Sequence, residues 1–77
     1  MADGRDEWAN RSRRYLKAEL KRAEVTYDEL ARRLRGMGIE ETKGSVTVKV
    51  NRGAFPAWFF FAAMKAIGVE QVRLEDV

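Results

Sequence analysis

The stretch that most constrains this chain is residues 56–67, Pro-Ala-Trp-Phe-Phe-Phe-Ala-Ala-Met-Lys-Ala-Ile, where Lys65 is the only charge. At about 1.5 Å per residue it is too short to cross a bilayer as a helix. Apolar nearly all round, it reads as a helix buried on most sides, with the other helices laying single stripes against it. Pro56 suits a first turn, where its missing N–H would be unpaired in any case. Gly68 supplies a left-handed cap, and Val69 packs back on the last turn. Phe60, Met64 and Ile67 are expected on the core side of this helix, with Trp58 and Ala62 opposite. Its place near the C-terminus, with no cleavage pattern after it, speaks against a signal peptide.

Seventy-seven residues without cysteine or histidine make one small domain with no disulfide or thiolate-metal staple. The commonest general base and the commonest metal ligand are both missing. The two serines, Ser12 and Ser45, have no base titrating near neutrality to partner them. The expectation is a non-enzyme with no cofactor, no metal and no small-molecule ligand. No targeting, lipidation or membrane-spanning pattern is visible, so a cytoplasmic location is the default expectation. The net charge of +3 is unevenly placed. Residues 11–22 hold six Arg or Lys against Glu19, and residues 42–65 hold four cations and no acid, while the tail carries Glu70, Glu75 and Asp76. Basic segments beside an acidic tail point to a polyanion on one face, or to an ordinary solvated surface.

Residues 1–5 read as a flexible arm and 70–77 as an irregular or single-turn tail, with one domain over 1–77. The first helix is expected over about 6–23, capped by Asp3 or Asp6, with Trp8, Tyr15, Leu16, Leu20 and Ala23 as its buried stripe. Arg14, Lys17 and Lys21 line another face, as a solvated surface or a binding one. The second helix carries the best local signal. Thr26 and Glu29 form a capping box, and Val25 and Leu30 a hydrophobic staple. Tyr27, Leu30, Ala31 and Leu34 supply its stripe. Residues 37–41 form a loop anchored by Ile39. Residues 42–53 are ambiguous, since Val46, Val48 and Val50 alternate like a strand. The sole pairing candidate, 69–74, is short, and a lone strand leaves its backbone unpaired. The segment is therefore assigned as a helix capped by Gly53.

Thr26-Tyr27-Asp28-Glu29-Leu30-Ala31, then Ser45-Val46-Thr47-Val48-Lys49-Val50-Asn51-Arg52-Gly53, then Phe60, Met64, Ala66, Ile67, Gly68 and Val69: this order resembles a lambda-repressor-like helix-turn-helix. Over residues 8–76 the chain is also similar to a small bacterial family of uncharacterised function. The resemblance implies an all-α, compact four-helix domain with a short irregular tail. It implies a transcriptional regulator with double-stranded DNA as partner, the helix over about 42–53 docked in the major groove, and with DNA binding a nucleoid-associated location. Lys43, Ser45 and Lys49 are then the outward-facing candidates. Lys49 and Arg52 would meet phosphates, and Arg14, Lys17 and Lys21 would extend the footprint. Tyr27 offers its hydroxyl to a phosphate or buries its ring. Gly44 stands where relatives have a base-reading side chain. Glu40 and Glu41 stand beside the DNA-facing helix, where they would repel phosphate. Trp58, if exposed, forms a two-fold homodimer interface with Ala62; otherwise it packs on Trp8 or the tail. The alternative function is a protein-interaction or adaptor domain reusing this scaffold without nucleic acid. RNA binding by the basic first helix is a third reading, with no aromatic platform or Gly-x-x-Gly clamp to support it.

Overall fold

The computed structural model describes residues 4–77, and among them the chain is all-α. Four helices run α1 (Gly4–Arg22), α2 (Tyr27–Gly36), α3 (Lys43–Arg52) and α4 (Ala57–Ala66), followed by a 3₁₀ turn at Leu74–Asp76. Of the expected N-terminal arm, Gly4 and Arg5 are instead helical, and residues 1–3, with the candidate cap Asp3, lie outside the described residues. The other proposed cap, Asp6, sits inside the first turn of α1, where its charge complements the helix dipole.

Each helix boundary has a local cause. α1 ends at Arg22, and the chain reverses through Glu24 in a left-handed conformation, φ 57°. This lets the amide of Val25 donate to the carbonyl of Leu20 at 2.9 Å and buries the Val25 side chain ahead of α2. Thr26 caps α2 by accepting from the amide of Glu29 at 3.1 Å. Glu29 does not complete the expected box, because both its carboxylate oxygens are taken by Arg32 and Arg33. The reciprocal box occurs instead on α3. Thr42 accepts from the Ser45 amide at 3.1 Å, and the Thr42 amide donates to the Ser45 hydroxyl at 2.9 Å. That box, with Gly53 in the left-handed region at φ 65°, makes the valine-rich segment helical against its intrinsic preference.

One core joins all four helices. Leu16 and Leu20 come from α1, Leu30, Ala31 and Leu34 from α2, Val46 and Val50 from α3, and Phe59, Ala63 and Met64 from α4. α2 packs against both α3 and α4, and α1 packs against α3. The apolar helix α4 is thus not the hub expected of it. Only one face is buried, while Trp58 is 52% and Phe61 66% exposed. The buried aromatic is Phe59, fully enclosed, whereas Phe60 is only partly covered. In a run with almost no polar residue, periodicity carries no contrast to mark the inner face. Trp8 and Ala23 also leave the buried stripe of α1. Trp8 is half exposed under the Arg11 guanidinium, 4.7 Å from its ring, and Ala23 lies beyond the last helical turn.

α3 is fixed at both ends. A Cβ on Gly53 would press into the carbonyl oxygen of Ala9, well inside van der Waals contact, so α3 ends directly against the α1 backbone. Beside it, Arg13 donates to the carbonyl of Asn51 at 3.1 Å and to the side chain of Asn10. A guanidinium at a helix C-terminus satisfies an orphan carbonyl and opposes the negative end of the dipole.

Candidate nucleic-acid interface

The surface of α3 follows from which residues its inner face consumes. Val46 and Val50, four apart, are fully buried. The far side is therefore outward: Gly44, Val48, Asn51 and Arg52 are exposed, and Thr47 is half-buried at the edge. Lys43 lies three residues before Val46, on the inner side, but is exposed because it opens the first turn. The Thr47 hydroxyl donates back to the Lys43 carbonyl at 2.6 Å. Of the expected outward residues, Lys43 and Arg52 face solvent, while Ser45 and Lys49 are only partly exposed and are turned toward Glu41.

Glu41 is the reason. Instead of standing in solvent beside α3, its side chain is buried, with 3% exposed. It accepts from the Ser45 hydroxyl at 2.6 Å and from the Lys49 ammonium at 2.8 and 3.0 Å. Lys49 also lies 5.6 Å from the centre of the Phe59 ring, so its charge is shared between a carboxylate and a π face. The Arg35 guanidinium donates to the Glu41 carbonyl at 2.8 Å, fixing the backbone of the link from α2. A buried carboxylate without such partners would cost several kcal/mol. Ser45 and Lys49 are thus spent on holding the α2–α3 link, and the charge of Glu41 is cancelled. Glu40 remains exposed.

The other cations fall into two places. Lys17 and Lys21 border a shallow hollow of about 360 Å³ together with Val25, Thr26 and Tyr27, so they flank the start of α2. Tyr27 is half-buried, which pushes its phenol upward from the ordinary value and keeps the hydroxyl a donor at neutral pH. Exposed Asp28 adjoins it. Arg14 lies elsewhere, in a cleft of about 590 Å³ between α1 and the tail residue Asp76. It does not converge with Lys17 on α2. Trp58 sits edge-on to Phe59 and half-exposed, and Ala62 is partly buried.

Sequence reasoning missed Thr47, Val48 and Asn51 as outward residues of α3. Their signal was available once Val46 and Val50 were taken as the buried pair, because positions 48 and 51 then face away. The burial of Glu41 had no such signal. It depends on Lys49, eight residues away, reaching back along α3.

Among the described residues, no group of three or more His, Cys, Asp or Glu is placed to hold a metal ion, and no helix is long and apolar enough to cross a membrane. Fold and surface together define a small all-α domain that presents one short helix with cations at both ends and no exposed acid along it. The chain belongs to the family described as a domain of unknown function, DUF6471, whose model matches residues 8–72. Neither a curated protein nor a solved structure matches it.

Proposed function

We propose that this chain is a DNA-binding domain of the helix-turn-helix kind, acting in transcription regulation, with α3 seated in the major groove. The observation that carries the reading is the charge of the α3 face. The segment from Lys43 to Arg52 contains no acid, and its one acidic neighbour in the core, Glu41, is neutralised by Lys49. Lys43 and Arg52 are left as cations at opposite ends of the exposed surface. In this reading they meet phosphates, and Lys17, Lys21 and the Tyr27 hydroxyl hold the backbone beside the start of α2. Thr47, Val48 and Asn51 lie between the two ends. An Asn amide pairs with the adenine edge, and apolar carbons contact the thymine methyl. Gly44 removes bulk where the helix would approach most closely.

Fluorescence anisotropy on a mixed-sequence duplex tests the reading. Affinity should fall as salt rises, with a log–log slope of about −0.9 per phosphate neutralised. Lys43→Glu combined with Arg52→Glu should abolish binding while helicity by circular dichroism is retained. Salt-independent binding, or normal binding by the double variant, would remove the proposal.

One observation favours a second reading, an adaptor domain that binds protein. Val48, at the centre of the outward face, is 53% exposed, and an apolar centre with charged ends also suits a protein surface. A stoichiometric protein partner lost on Val48→Glu, together with no duplex binding by the wild type, selects that reading.

A further inference from the structure

Three hollows, two walled in part by α1 and the third by α4 and the tail, share walls and make a continuous strip. The first lies between Arg14 and the tail residue Asp76, with Tyr15 and Val77 among its walls. Tyr15 and Val77 also wall the second, an apolar groove of about 360 Å³ whose aromatic sides include Trp8, Phe60 and Phe61. Phe61 and Val72 carry the surface on to the third, which holds Lys65 and Glu70. The middle of the strip is both apolar and open, with Phe61 66% and Leu74 80% exposed and Trp8 half exposed. Exposed aromatic side chains gathered along one groove offer apolar surface to a contact.

The charges at the two ends select the occupant. Arg11 is already held by Glu7 and the Trp8 ring, Arg22 by Glu19, and Arg73 by Glu75. What remains is Arg14 with Asp76 at one end and Glu70 with Lys65 at the other, none of them in an ion pair among the described residues. Each end thus offers one cation and one anion. A two-fold axis through the Phe61–Leu74 region would set each end against the other, and the register that matches opposite charges is Arg14 against Glu70 and Asp76 against Lys65, each pair made twice. A partner of one sign would satisfy only half of these groups.

We infer that this strip is the contact face of a homodimer, with Phe61 and Leu74 at its centre and the Arg14–Glu70 pair setting its register. The centre lies one step along α4 from Trp58, and neither Trp58 nor Ala62 lines the strip. α3 stays free, because Ala9 and Arg13, which meet its end, lie on another flank of α1 from Trp8 and Tyr15. The inference does not depend on nucleic-acid binding, since its test contains none.

Sedimentation equilibrium on the purified chain provides that test. The wild type should associate reversibly to a dimer. Arg14→Glu and Glu70→Arg should each weaken it about tenfold or more, because each swap sets like charges together at two places. Arg14→Glu with Glu70→Arg should restore dimerisation, since the pair re-forms with signs exchanged. These positions are exposed, so helicity should match the wild type throughout. A chain that is monomeric up to about 1 mM, the weak end of measurable association, overturns the inference. So does a dimer indifferent to both single swaps.

Discussion

Glu41 shows how much a single residue can redirect a surface. Among the described residues its side chain is the most enclosed of the acids, ahead of Glu19, and three hydrogen bonds reach its carboxylate from two α3 side chains. A charge-assisted bond of this kind contributes about 1.5–3 kcal/mol, and removing the carboxylate also strands Lys49 over an aromatic ring. Glu41→Ala should therefore lower unfolding free energy by about 1.5–3 kcal/mol in urea titration. Lys49→Met in the Glu41→Ala background should return part of that loss by removing the unpaired ammonium. Equal stability of the wild type and Glu41→Ala would show that the pair contributes nothing. The side chain that looked like an electrostatic obstacle to a polyanion is thus a structural tether of the α2–α3 link.

At the scale of elements, the legible parts of the fold were those with contrast between neighbouring residues. Thr26, Val25 and Leu30 marked the start of α2, and Gly53 marked the end of α3, through side chains that have few other uses at those spacings. α3 was chosen as a helix by exclusion of a pairing strand, and the Thr42–Ser45 box that enforces it is a short-range signal that could have supported the choice directly. The position of α4 is plain in the sequence but its orientation is not, because Phe59, Phe60 and Phe61 are identical residues in a run with little polar contrast. The structure separates them by neighbours. Phe59 is enclosed by the core, Phe60 lies 6.1 Å from Tyr15 and stacked at 6.1 Å on Phe55, and Phe61 faces out. Phe59→Ala should accordingly cost about 3–5 kcal/mol, enough to unfold a domain this small, and Phe60→Ala clearly less. Thermal melts of the two variants compare them, and a more stable Phe59→Ala would reverse the assignment. The candidate interface was less legible than the fold. Which cations remain free depends on partners such as Glu41, delivered to Lys49 by tertiary packing.

For the molecule as a whole, Arg33 joins α2 to α4, and the Glu29 carboxylate steadies it. Glu29 binds Arg32 and Arg33, and Arg33 also donates to the last-turn carbonyl of Ala66 on α4 at 3.1 Å. Hydrogen bonds from Arg33 and then Arg32 hold the Glu29 carboxyl below its ordinary range. A depressed folded value means the stabilisation is present above the unfolded value, about 4.3, and is lost as pH falls through the lower folded value. The melting temperature should thus drop on acidification below about pH 4.3, and Glu29→Gln should flatten part of that slope. An identical acid slope in the variant would mean other carboxylates carry it. A different consequence attaches to the junction where Gly53 meets Ala9. No side chain separates the two backbones, and Arg13 bonds across beside them, so the end of α3 rests directly on the α1 main chain. A single methyl group at residue 53 would have to push α1 and α3 apart, so the spacing of the two helices is set by the one side chain that is missing between them.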